Sequence, residues 1–408
     1  MKAIAVSLGA AGMAQFAQAQ NVVSMLAISA ATGLGHGVTR TVAHDRATGS
    51  SEAGERLRQV LGTATWFAVC LSVPMALALL VAADPVAAWL FGDPSLSSLV
   101  RCAAAALPFA CLAPIPLAAL NGQNESMRCV IAPIITTLAG SAVTVALVLV
   151  LDLPGAALSI VAGHALTLAV NLAFFGSRNP LGHWSSWLAH DRATLRHLLG
   201  FAIMAIVGGL AMQGAQLFVR TTLAADHGWV AAGQWQAVIK ISEVYLSAIT
   251  MALTVYYLPR LSAITRRSDF LALLRKAMVL IVPATLALTA TIWLLREQIV
   301  TLALSAEFAP AAGVMWLQLT GDVLKIVSFL FAMVMWARGM ITAYLVLEVG
   351  SSALYAGLAW WWSGAAGVSG ALAAHAAMYA VYGVLCAFVA LRLADWDRPA
   401  GADVRGTA

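Results

Sequence analysis

Apolar residues fall along the chain in runs of roughly 20, the length that carries a helix across a ~30 Å hydrocarbon core. Short polar connections separate the runs. The spacing predicts eleven spanning helices, near 15–38, 62–83, 98–120, 130–151, 154–175, 197–222, 232–258, 277–296, 314–336, 340–361 and 367–391. A spanning barrel would show short alternating segments, and no such pattern is present. The longest connections, 41–61 and 176–196, are basic, and no loop is large enough to hold a catalytic domain outside the membrane.

The polar residues inside these runs recur at helical spacing. On 232–258, Gln236, Lys240, Glu243, Ser247, Thr250 and Thr254 share one face over most of the membrane's thickness. Further faces carry Gln213, Gln216 and Arg220; Gln318, Asp322 and Lys325; and Tyr344, Glu348, Ser351 and Tyr355. Others carry His164, Thr167 and Asn171; His375, Tyr379, Tyr382 and Cys386; and, near the start, Gln18, Asn21, Ser29, Thr32, His36 and Arg40. The spans 62–83 and 277–296 are almost free of polar groups and belong at the periphery. Two readings compete. Interhelical hydrogen bonds hold a bundle together, and Lys240 with Glu243 or Asp322 with Lys325 neutralise each other at i,i+3. Alternatively, the stripes converge on a hydrated vestibule. A vestibule lined by Arg40, Arg220, Lys240 and Lys325 suits an anionic head group, which Lys and Arg bind strongly where dielectric screening is weak.

Charge settles orientation. Alternate loops and the C-terminal tail hold seventeen Lys and Arg residues, whereas the opposite set holds only Arg101, Arg220 and Arg296. The first set, and the C-terminus, therefore belong in the cytoplasm. The composition agrees: 61% of the 408 residues are hydrophobic, 10% are charged, and the mean hydropathy is +0.87. A soluble domain carries about 25% charged residues. The net charge of +5 reads as membrane orientation rather than nucleic-acid binding. The five cysteines show no CxxC spacing and read as packing residues. GxxxxGK[ST], HExxH and GxSxG are all absent, so no ATP site, cofactor, metal or catalytic residue is expected.

The order of parts repeats. Arg40 ends one span and a basic stretch leads to Arg58; Arg260 ends another and a similar stretch leads to Arg275. WLFGDPSL at 89–96 and LALSAEF at 302–308 follow at an offset of about 213. A parallel repeat of two related halves is a common transporter plan.

The segments GHGVTRTVA (35–43), RLRQVLGT (56–63), GQWQAVIKISEVYL (233–246), VYYLPRLS (255–262) and LQLTGDVLKI (317–326) lie in both halves. In this order they resemble the Wzx-type flippases of the multidrug/oligosaccharidyl-lipid/polysaccharide exporter superfamily. The nearest branch moves lipid III of enterobacterial common antigen, with the O-antigen translocases beside it. The resemblance implies an all-α polytopic membrane protein of the MATE-like fold, with two six-helix lobes around a central cavity. The lobes would be 1–175 and 197–393, joined by a cytoplasmic linker at 176–196 and followed by a cytoplasmic tail at 394–408. MKAIAVSLG matches where the family's first helix ends. That agrees with the odd span count and with the lack of a signal peptide to export Met1, so the first helix is expected to be largely missing from this chain.

The implied substrate is undecaprenyl-diphosphate-linked oligosaccharide, moved from the cytoplasmic to the periplasmic leaflet of the bacterial inner membrane. A polysaccharide polymerase and chain-length proteins are possible partners besides membrane lipids; nucleic acid is not. Lys240 and Lys325 are expected to meet the diphosphate, beside Arg220, Gln236, Gln213 and Gln216, with Arg40 and Arg260 at the cytoplasmic mouth. Glu243, Asp322 and Glu348 are the candidate ion carriers, because without an ATP site the energy must come from ion or substrate gradients. An ion-coupled multidrug antiporter of the same fold is the alternative, and it calls for an acidic, aromatic cavity. A membrane enzyme of the same sugar pathway would need a large loop.

Overall fold

A computed structural model describes residues 2–28, 33–47, 53–177, 192–264 and 266–393. Every element among them is helical. In order they are α1 (Lys2–Ala27), α2 (Gly33–Ala47), α3 (Ala53–Val81), α4 (Ala83–Phe91), α5 (Ser97–Leu112) and α6 (Pro114–Gly122). Then follow α7 (Ser126–Gly176), α8 (Arg192–Ala263), α9 (Arg267–Leu294), α10 (Arg296–Ala303), α11 (Ala309–Arg338) and α12 (Ile341–Phe388).

Three of these helices are too long for one crossing. α7 has 51 residues, α8 has 72 and α12 has 48, whereas about 20 residues span the hydrocarbon core. Each turns at a residue with positive φ: Asp152 (φ 50), Gly228 (φ 81) and Gly367 (φ 56). The reversal at Asp152 is tight enough that a Cβ on Gly155 would lie 1.9 Å from the Leu147 carbonyl oxygen. A Cβ on Gly370 would lie 2.2 Å from the Trp362 oxygen. Only glycine permits such an approach. Among the described residues, seven stretches are long and apolar enough to cross a membrane, and these turns divide three of them. Ten of the eleven expected spans overlap those stretches. The remaining one, 15–38, runs from the end of α1 across residues 29–32, which lie outside the described set, into α2.

The repeat seen in the sequence recurs in the backbone. Gly9 and Gly228 have positive φ 219 positions apart; Asn124 and Gly339, and Asp152 and Gly367, do so 215 apart. The 3₁₀ turns Pro94–Leu96 and Ala306–Phe308 are 212 apart, as are the starts of α5 and α11.

Two compact units result: Gln15–Leu217, and Met1–Ala14 together with Phe218–Ala408. The expected linker 176–196 falls mostly on residues outside the described set. Each unit has its own core, assembled from matching elements. In the first, Val38, Leu61, Ala64, Cys111, Ile115 and Phe175 join α2, α3, α5, α6 and the end of α7. In the second, Leu253, Tyr257, Phe270, Leu274, Leu330 and Met333 join α8, α9 and α11, with Ala390 after α12. Large apolar side chains such as Val150, Leu280 and Trp361 are turned outward, 78%, 69% and 75% exposed. Hydrocarbon accepts such a surface and water does not.

Candidate functional site

In the second unit, α8 meets the polar faces of α11 and α12 through Tyr245 and Ser242. On α11, Gln318, Asp322 and Lys325 are spaced by one helical turn, which aligns them on one side. Asp322 is fully buried. Its carboxylate accepts hydrogen bonds from the Tyr245 hydroxyl of α8 and from Gln318 Nε2 at 2.9 Å. The Ser242 side chain hydrogen-bonds it as well, and His375 Nε2 of α12 stands 3.4 Å from Oδ1. Burying a carboxylate in this way is tolerable only with such a shell of donors.

His375 Nε2 has two neighbours of opposite character. Gln318 Nε2, at 3.1 Å, offers it a proton; Asp322 Oδ1 would accept one from it. Whether that nitrogen carries a hydrogen therefore decides which contact is a bond. Lys325 continues the face. Its ammonium lies 5.6 Å from the Tyr379 ring centre, is hydrogen-bonded to Tyr379, and is within electrostatic reach of Asp322 and Glu243. Glu348 of α12 accepts from the Tyr382 hydroxyl at 3.1 Å and feels the Lys325 charge. The rings of Tyr355, His375, Tyr379 and Tyr382 meet edge to face in a row, with centroids 5.9, 4.8 and 6.2 Å apart.

The other site residues are placed as follows. Lys240 and Glu243 form a direct i,i+3 ion pair at 2.6 Å, half-exposed, so this pair does neutralise itself. Arg220 is 2% exposed, and Gln236 Oε1 accepts from its Nη2 at 2.6 Å and its Nε at 3.2 Å, with the Trp235 ring beside it. Gln213 and Gln216 are half-buried on the first arm of α8, in the first unit. Arg260 is exposed and stacks on Tyr256 at 3.6 Å. Arg40 lies on α2, and its side chain is outside the described set. The structure thus brings Asp322, Lys325 and Glu348 into one network, with Lys240 and Glu243 as a separate pair. Ser247, Thr250 and Thr254 bond back to their own helix. Tyr245, Ser242 and His375 complete the network without having been singled out as site residues. His375 sat on a recognised stripe; Tyr245 lies off the α8 stripe and gives no periodic signal.

This architecture has the fold of the MATE-type membrane transporters. An inward-facing multidrug resistance MATE family transporter of the MOP superfamily superposes with a TM-score of 0.73 at 17% identity, covering 96% of this chain and 94% of that one. Residues 45–313 match the family described as polysaccharide biosynthesis protein. The lipid III flippases of Escherichia coli K12 and Shigella flexneri are each 31% identical over 395 residues, 96% of this chain and 92% of theirs. The chain belongs to this polysaccharide-biosynthesis flippase family.

Proposed function

We propose that the protein flips undecaprenyl-diphosphate-linked oligosaccharide, lipid III or an O-antigen unit, from the cytoplasmic to the periplasmic leaflet of the bacterial inner membrane. The observation that carries this reading is the end-to-end match with two lipid III flippases. The geometry adds a reason. Lys325 lies half-buried among aromatic rings in a spanning helix, where a cation attracts phosphate more strongly than it would in water. Lys240, one α8 turn from Gln236, supplies a second cation whose partner Glu243 is exposed enough to exchange it. Arg220, held by Gln236, positions α8, while Arg40 and Arg260 attract the head group at the cytoplasmic mouth. The excess of Lys and Arg in alternate loops supports a cytoplasmic C-terminus. Polymerase and chain-length proteins would receive the flipped unit.

Among the acids, Asp322 is the ion carrier of choice, since its partner His375 can exchange a proton. Glu348 is next, and Glu243 is spoken for by Lys240. The row of tyrosines beside Asp322 and Glu348 supports the second reading, an ion-coupled drug antiporter, which needs acidic and aromatic walls.

One experiment separates them. Strains lacking their own lipid III flippase receive the wild type, Lys325→Ala or Lys240→Ala, and surface glycan and dye efflux are both measured. The wild type should restore glycan without efflux. Lys325→Ala should abolish restoration, and Lys240→Ala should weaken it by about tenfold, a change of some 1.4 kcal/mol, with both proteins still inserted. Efflux without glycan would install the antiporter in its place.

A further inference from the structure

α9 and α11 are not packed against each other along their whole length. A cavity of 340 Å³ lies between them, walled by Leu286, Ala290 and Trp293 from α9 and Trp316, Thr320 and Val323 from α11. That volume is within the range of small-ligand sites. Both helices are among the stretches apolar enough to cross a membrane, so the groove opens on hydrocarbon. An apolar gap there costs its walls their dispersion contacts unless a chain fills it.

The first unit shows that the gap is not forced by the scaffold. At an offset of 212, Trp316, Thr320 and Val323 correspond to Ala104, Pro108 and Cys111 of α5. Ala104 and Cys111 are fully buried, so small residues close the equivalent space. In the second unit Trp293 and Trp316 line the walls instead.

A cation stands beside the groove, against one of its lining residues. Arg296 opens α10, and its guanidinium stacks 4.2 Å from the Trp293 ring centre. Its Nη1 donates to the Trp293 carbonyl at 2.9 Å. Its Nη2 lies 3.5 Å from the Glu297 carboxylate, a loose contact with a side chain that is 75% exposed. A cation is thus fixed over one wall of an apolar slot, the complement of a hydrocarbon chain that ends in phosphate.

We propose that this groove seats a segment of the polyprenyl chain of the lipid-linked substrate, with Arg296 meeting its phosphate end once the head group has left Lys325 for the leaflet opposite the basic loops. The proposal rests on the flippase reading above and assigns the tail a place apart from Lys325. Gln318 and Asp322 face the polar network from α11 while Trp316, Thr320 and Val323 face the groove, so one helix stands between head-group site and tail site.

The test uses the full-length protein in nanodiscs and a benzophenone-tipped polyprenyl diphosphate. After illumination, adducts should map to 286–293 and 316–324. Excess undecaprenyl diphosphate should compete and phosphatidylglycerol should not. Ala290→Trp and Thr320→Trp, both at exposed positions that disturb no core, should cut this labelling about tenfold and lower glycan restoration. Equal competition by phosphatidylglycerol would make the groove a seat for ordinary lipid and overturn the proposal. So would undiminished labelling in both tryptophan variants, or adducts only elsewhere while the wild type still restores glycan. Failure of the wild type to restore glycan or to bind the probe overturns the flippase reading itself, and the groove with it.

Discussion

Where the second unit carries Gln318, Asp322 and Lys325, the first carries Ala106, Ala110 and Ala113, 212 positions earlier. Where the second carries Glu348 and His375, the first carries Pro133 and Ile160, 215 positions earlier. The turns and breaks match, but the side chains do not. In the first unit Asn171 serves the bundle, donating to the Ala113 carbonyl at 2.8 Å, and Thr167 bonds to its own helix. In the second they surround a buried carboxylate. One scaffold was thus used twice, once for close packing and once for chemistry. The alanines that let α5 pack tightly are the positions that, on α11, hold the charges.

The sharpest way to break this comparison is to exchange the two chemistries. Ala110→Asp places a carboxylate at a 7%-exposed position whose neighbours Ala106 and Ala113 offer it no side-chain donor. A buried charge without partners costs about 3–5 kcal/mol, so little folded protein should be recovered. Asp322→Asn keeps shape and most hydrogen bonds, and should insert normally while restoring no glycan. Asp322→Ala strands Tyr245, Gln318 and His375, at about 1–3 kcal/mol for each group left without a partner, and should lower both yield and transport. Membrane yield by immunoblot and glycan by antibody measure the two effects. If Ala110→Asp inserts as well as the wild type, the first unit holds a polar pocket of its own and the contrast fails.

Much of the scaffold was legible in the amino-acid pattern because its signals are local. Runs of twenty apolar residues and the recurring WLFGDPSL and LALSAEF segments each report on a few consecutive residues. The fold class and the parallel repeat follow from them. The α11 and α12 stripes were legible for the same reason, since 3.6-residue periodicity is a property of one helix. What one helix cannot reveal is its partner. Gln318 and His375 are 57 positions apart, and Tyr245 and Asp322 are 77 apart. Nothing in the periodicity of α8 marks Tyr245, which lies off its polar face. The stripe also overcounts: Ser247, Thr250 and Thr254 share a face with Lys240, yet each satisfies its hydroxyl on its own backbone. Intramembrane hydroxyls can always do this, so their spacing carries less information than that of Gln, Asp or Lys.

A smaller effect tests the shared half of the comparison. Gly155→Ala and Gly370→Ala each push a methyl to about 2 Å from a carbonyl oxygen across a reversal of the chain. Relieving such an overlap costs about 1–3 kcal/mol. Because the two turns are equivalent, thermal unfolding in detergent should show the same loss for both, and transport should fall only in proportion to folded protein. A large loss at one position and none at the other would mean that the two reversals do not bear equal load.

The smallest effect concerns the turns before α5 and α11, where the units diverge again. Asp93 Oδ1 accepts from the Ser95 backbone N–H at 2.8 Å and caps its own 3₁₀ turn. At the corresponding place, 212 positions on, Ser305 instead faces the Ala5 carbonyl at 3.5 Å, and nearby Glu307 accepts from the Ala10 N–H at 2.9 Å. One turn caps itself; the other holds the start of the chain, next to the bend at Gly9. The backbone N–H of Ser95, helped by its side chain, holds the Asp93 carboxyl below the usual carboxylate range. The sign follows. A lowered folded pKa gives a stabilisation that is complete above the unfolded value of about 3.9. It is lost as pH falls through the folded value. Between pH 6 and pH 3 the wild type should therefore lose a small increment of stability that Asp93→Asn, which still caps but does not titrate, does not lose. Ser305→Ala should show no pH dependence of its own, because no charge is removed. Melting temperatures of the three proteins across that interval give the comparison. An identical pH response in the wild type and Asp93→Asn would show that the cap contributes nothing through its charge, leaving hydrogen bonding alone to hold the turn.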